Sequence, residues 1–179
     1  PALAADDLAR RFQLASLELR TARTPAEFIR RIRDFARHVP KGHWIIGGDW
    51  DHTLWPGQPL PRHEWIDSVT RDNPVFLERL DGHEALANAA ALQAAGITRS
   101  TPAPAGGEIG HDPATGEPTG IFKDQALQMV YRVVPDPTPE DRDSALVRAL
   151  RYAASLGVTG TSSMWASWAD RASFERATS

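Results

Sequence analysis

The chain reads as an α/β fold, α+β when taken as an isolated piece, on three observations. Apolar runs of strand length recur at residues 44–50 (WIIGGDW) and 75–80 (VFLERL). Two helix-start signatures, Thr24-Pro25-Ala26-Glu27 and Thr138-Pro139-Glu140-Asp141, each precede an apolar stripe at helical spacing. The second of these helices is followed by Gly157 and a short apolar run at 158–162, the helix-then-strand order of an α/β unit.

The elements follow in order. Residues 1–12 are rich in Ala and Arg and read as a frayed helix. Residues 13–19 (QLASLEL) alternate, with Leu14, Ser16 and Glu18 on one side and Ala15, Leu17 and Leu19 on the other, as in a half-buried strand. Thr24 opens a helix whose apolar face is Phe28, Ile32, Phe35, Ala36 and Val39, stopped by Pro40 and Gly42. After the 44–50 strand comes a loop with Pro56, Gly57, Pro59 and Pro61, then a short helix at 62–69. Asn73-Pro74 turns the chain into the 75–80 strand. Asp81-Gly82-His83 ends that strand and leads into a predicted helix at 84–95, alanine-lined and stopped by Gly96. Residues 99–119 are a loop or irregular hairpin, punctuated by Pro, Gly and Asp. A helix is expected at 121–134. The longest helix, from Thr138, carries the stripe Leu146, Ala149, Leu150, Ala153 and Leu156, and a last helix is expected at 168–177.

Composition narrows function. The chain has 179 residues, with Lys and Arg at 20, Asp and Glu at 23 and a formal charge of -3, so no basic surface points to nucleic acid. No apolar run is long enough to span a bilayer. There is no cysteine, which excludes disulfides, thiolate metal sites and a cysteine nucleophile. It also fits a reducing compartment, and the cytoplasm is the expected location.

The histidines, at 38, 43, 52, 63, 83 and 111, form no H-x-H or H-E-x-x-H pair, so no local metal site is evident. Two clusters draw attention. Trp50, Asp51 and His52 sit at the end of a buried strand, where α/β folds place their sites; the alternative is a solvated turn capping a neighbouring helix. Asp81, Gly82 and His83, with Asn88 one turn into the predicted helix, form a corner where glycine lets a ligand approach and His83 can move a proton near neutrality. The alternative there is that Asp81 caps a helix and His83 packs. Asp124, after Pro118-Thr119-Gly120, is read at a helix start, where an acid is also favoured by the helix dipole alone.

Five segments together resemble amidohydrolase family 3, in the branch that includes N-substituted formamide deformylases. They are LASLELRTARTPAEF, WIIGGDWDHTLWPGQPLPRHEWID, NPVFLERLDGHEALANAAALQAAGI, GGEIGHDPATGEPTGIFKD and LGVTGTSSM, in the family's order. The resemblance implies a hydrolase of non-peptide C–N bonds on a (β/α)8 barrel, with a metal-activated water. It implies an N-terminal segment at 1–12, an inserted α/β domain at 13–156 between barrel strands one and two, and strand two with its following helix at 157–179. The family's H-x-H falls near Ala4 to Asp6, where no histidine stands, and its later ligands match nothing in this sequence.

The expectation is therefore a fragment that supplies lid and pocket residues and is inactive alone. A divalent metal, with zinc the expected ion, belongs to the intact enzyme and is not expected to bind this chain tightly. By the match, His83, Asp81 and Asp124 are the catalytic candidates, and Asn88, Trp50 and Asp51 the substrate-binding ones; no residue is assigned to metal. The expected partner is a small amide-type substrate, with no nucleic acid or membrane, and homo-oligomerisation is left open. The other reading is a non-catalytic binding or assembly module derived from the insertion.

Overall fold

The computed structural model describes residues 17–160 and 167–178. The helix expected at 1–12, the first half of the 13–19 strand and the end of the 158–162 strand lie outside these residues. The chain divides into two compact units, Leu17–Pro135 and the unit made of Pro1–Ser16 with Asp136–Ser179. The stretch 13–156 is thus shared between them.

In the first unit the elements are α1 (Pro25–Ala36), β1 (Ile45–Trp50), α2 (Glu64–Asp67), β2 (Val75–Arg79), β3 (Glu84–Ala87), α3 (Ala89–Ala94), β4 (Gly107–His111), β5 (Pro118–Asp124) and α4 (Leu127–Tyr131). The start of α1 follows its signature: Thr24 Oγ1 accepts from Glu27 N–H at 3.1 Å, and Glu27 Oε2 accepts from Arg23 N–H at 2.9 Å. Leu17 and Leu19 are buried around exposed Glu18, the alternation expected, but the described residues 17–19 form no strand; Leu19 N–H donates to Gly48 O at 3.1 Å.

The strands build one five-stranded sheet in the order β1-β2-β3-β5-β4. Only β1 and β2 are parallel; the other neighbours are antiparallel. Both faces are covered. One carries Phe28, Ile32, Ile45, Trp50, Leu77, Leu86 and Ile121; the other carries Phe76, Ala85, Ala87, Ile109, Phe122 and Val130. Each fully buried large apolar side chain contributes about 1.5–3 kcal/mol by area.

The double cover corrects two expectations. Residues 84–87, read as helix from their alanines, are the central strand β3, buried at every position. Alanine's helix propensity is weak beside two flanking strands that satisfy the backbone and two cores that cover the side chains. The helix there is only α3, and Asn88 is its N-cap. Likewise 121–124, read as helix, ends β5 between β3 and β4, and α4 is confined to Leu127–Tyr131. The irregular hairpin at 99–119 resolves into β4 and the start of β5.

In the second unit, α5 (Pro139–Ser155) and α6 (Trp168–Ala177) both begin with reciprocal capping boxes, Thr138 with Asp141 and Ser167 with Asp170. They pack on each other and are joined by Arg176 and Asp143 at 2.7 Å. The α5 stripe is not a buried one: Ala145 is buried, whereas Leu150 and Leu156 are 48% and 64% exposed. Toward α6, Arg142 lies 3.9 Å from Asp170, beside the Asp143 pair with Arg176. Residues 158–160 form no strand.

Candidate functional site

The register gathers the chemistry-bearing residues at one end of the sheet. Trp50 at the end of β1 lies opposite Arg79 at the end of β2. Glu84 at the start of β3 lies opposite Lys123. Asp124, the last residue of β5, lies opposite Gly107 at the start of β4. Asp81 and His83 occupy the tight connection between β2 and β3, closed by Gly82 N–H on Arg79 O at 2.9 Å, with Gly82 at φ 73°. Asp81 Oδ1 accepts from His83 N–H at 3.1 Å.

His83 and Asp124 form a reciprocal pair. Asp124 Oδ1 is 3.0 Å from His83 Nδ1, and Asp124 N–H donates to His83 O at 2.9 Å. Asp124 is a strand-end residue and not the helix start expected; it sits at φ 49°, an uncommon conformation for a residue with a Cβ. The two side chains are 72% and 56% exposed. An exposed pair of this kind adds little to stability. With Asp124 accepting from Nδ1–H, Nε2 is left as the open, proton-accepting atom.

Beside this pair, Arg79 bridges Asp81 Oδ2 at 3.1 Å and Glu84 Oε2 at 3.4 Å. Asp51 caps the short turn His52–Leu54, its Oδ1 accepting from Thr53 N–H at 2.9 Å and from Thr53 Oγ1 at 2.7 Å. Burial works to raise the Asp51 carboxyl, but the Thr53 bonds, with Arg79, outweigh it and leave it below its ordinary value. Burial, helped by Arg79, lowers the His52 imidazole below its ordinary value, against the opposing pull of Glu84, Asp51 and Asp81.

Two predicted binding residues spend their polar atoms within the fold. Trp50 is fully buried, and its indole N–H donates to Leu77 O at 2.7 Å. Asn88 lies at the far end of β3, about 13 Å along the strand from Glu84 at the usual rise. Its Oδ1 accepts from Val75 N–H and Ala91 N–H, both at 2.9 Å, and its Nδ2 donates to Thr70 Oγ1 and Asn73 O, also at 2.9 Å. Neither side chain has a polar atom left for a ligand. Both hold the frame on which the sheet end is mounted.

Two groupings were not assembled by the sequence reading, which had singled out His52 only with Trp50 and Asp51. The first is His52, Arg79 and Glu84; a lone acid opening an otherwise apolar strand was the available signal. The second is His63 and Asp67, four residues apart, with Nδ1 and Oδ2 at 2.6 Å. Asp67 also accepts from Ala89 N–H at 2.8 Å, at the mouth of a cleft of about 530 Å³ lined by Glu64, Thr70, Arg71 and Gln93. Among the described residues, no three His, Cys, Asp or Glu side chains converge to hold a metal ion, and no helix is long and apolar enough to cross a membrane.

Comparison with known proteins places the chain. The amidohydrolase family model matches residues 9–178. The Arabidopsis thaliana protein LONG AFTER FAR-RED 3 is 42% identical over 147 residues, covering 82% of this chain and 25% of that protein. The N-substituted formamide deformylase of Arthrobacter pascens is 34% identical over 105 residues, covering 59% of this chain and 19% of that enzyme. A solved structure of an uncharacterized metal-dependent hydrolase from Pyrococcus horikoshii shares the fold, with a TM-score of 0.62 at 23% identity over 98% of this chain and 32% of that one. The chain spans about a quarter or less of the length of these curated relatives.

Proposed function

The chain belongs to the amidohydrolase family, and on that premise we propose that it supplies the lid and substrate-facing rim of a hydrolase acting on the C–N bond of a small amide-type compound. His83 and Asp124 touch the reacting group in this reading, and Asp81 fixes the backbone that carries His83. The carrying observation is the reciprocal, exposed His83 and Asp124 pair at the sheet end. Asp124 holds the imidazole in one tautomer, so Nε2 takes a proton from an attacking water and returns it to the departing nitrogen.

Asp51 shapes the rim by holding its turn. The family's divalent metal, zinc in our reading, does not fit the described residues by themselves, and no step here is routed through it. The inserted position of this segment in a barrel, its inactivity alone and a cytoplasmic setting complete the reading.

The test is made in the full-length enzyme that contains this segment, against a panel of N-substituted formamides and anilides. Asp124→Asn and His83→Gln should each lower kcat/KM by about 10²–10⁴. Turnover within threefold of the parent, about 0.7 kcal/mol in barrier terms, in both variants would refute the assignment.

A second reading, a non-catalytic binding or assembly module, draws on the exposed apolar side chains of the second unit, Leu156 at 64% and Trp168 at 82%. Self-association of the purified chain that Trp168→Ser abolishes would support it, and a monomer at all concentrations would remove it.

A further inference from the structure

Two polar atoms at the sheet end are closed off from solvent and meet no partner among the described residues: Glu84 Oε1 and His52 Nδ1. Glu84 is 5% exposed, and only its other oxygen is used, by Arg79. Leaving a buried carboxylate oxygen or a buried ring nitrogen unsatisfied is costly, and native proteins supply such atoms with partners. Strand alternation puts Glu84 on the same face as Leu86, and Arg79 on the same face as Leu77, which is the face that carries Trp50. The His52 ring follows directly, 5.8 Å from the Trp50 ring and 6.4 Å from the Trp55 ring. The charges acting on His52 are Arg79, Glu84, Asp51 and Asp81. His52, Arg79 and Asp81 are partly exposed, so the cluster opens at the rim.

We propose that this cluster is a binding site for a primary ammonium group, with Glu84 Oε1 and His52 Nδ1 as the acceptors of its N–H bonds. Three acids against one arginine select a cation over an anion. A metal ion is disfavoured because no three ligating side chains converge among the described residues. An ammonium group has several donors on one atom and suits two acceptors, one charged and one neutral. The His52 tautomer with its proton on Nε2 leaves Nδ1 free to accept. Trp50 and Trp55 form an apolar floor that keeps water from competing. The site concerns binding alone and stands whether or not the hydrolase reading does.

The test is a titration of the purified chain with methylammonium chloride, followed by amide chemical shifts at residues 51–53 and 79–84. Tetramethylammonium chloride, a cation of the same charge without N–H, is the control. Saturable shifts with methylammonium alone are expected, weakened about tenfold or more in Glu84→Gln. His52→Gln gives the same loss and serves if Glu84→Gln fails to fold. The site is refuted by any of three outcomes: no saturable shift, an equal response to tetramethylammonium, or unchanged affinity in both variants. The first would leave a trapped water as the occupant.

Discussion

Asp124 is held at φ 49°, where a residue with a Cβ carries strain of about 1 kcal/mol or more. Nothing in the strand requires an acid there, but the imidazole of His83 does. Asp124→Gly should therefore keep or raise stability by up to about 1 kcal/mol while lowering turnover in the full-length enzyme. Denaturation midpoints and kcat, measured side by side, separate the two effects. Equal losses in both would mean that the residue is only structural.

Two further residues set pH dependence. The Arg62 guanidinium at 2.7 Å, with the Thr115 and Ala114 amides, holds the Asp112 carboxyl down from 3.8 to about 2. A depressed carboxyl stabilises the fold above its unfolded value and loses that support as pH falls through about 2. Acid titration of the circular dichroism signal should show this loss, and Asp112→Asn should lack it. His52 has a lowered value too, so its neutral form supports the fold above 6.5, and support is lost as pH falls below that. Urea midpoints at about pH 8 and about pH 5 should differ less in His52→Gln than in the parent.

At the level of elements, the parts legible in the sequence were those with local chemistry at their ends. α1 and α5 announce themselves through Thr24 and Thr138, because a cap bonds within a few positions of itself; Ser167, the cap of α6, offered the same signal. β3 was hidden, since what makes Glu84–Ala87 a strand is β2 on one side and β5 on the other. The Asp81-Gly82 pair between two apolar runs was the hairpin signal that the alanines outweighed. The same error misplaced Asn88, read inside a helix and near the site. As the N-cap of α3 it joins Val75, Ala91, Thr70 and Asn73. Asn88→Ala should cost about 3 kcal/mol or more, read as a urea midpoint shift. A loss below about 0.5 kcal/mol would show that those bonds carry little. The rim itself was partly legible: Asp81, His83 and Asp124 were picked out, and His52 within the strand-end cluster, whereas Arg79 and Glu84 gain meaning only from the sheet register.

At the scale of the whole molecule, the two units differ in what holds them. Leu17–Pro135 has a sheet covered on both faces, while the described part of the other unit is a helix pair with exposed leucines. A chain of residues 17–135 is expected to unfold cooperatively and keep the amide protection of β2, β3 and β5, as hydrogen exchange would reveal. Broad, uncooperative melting would show instead that the sheet depends on the rest of the chain.

The outer strand β1 bends where Gly47, Gly48 and Asp49 adopt φ of 92°, 99° and 51°, and its register with β2 slips between Gly47 and Trp50. A straight outer strand offers a continuous row of free amides and carbonyls, to which another chain can add in cross-β fashion. The kink at Gly47 to Asp49 breaks that row, and Leu19 caps part of what remains through Gly48 O. The two glycines thus guard this border against aggregation. Replacing Gly47 and Gly48 by valine would favour amyloid-like assembly as well as a weaker fold.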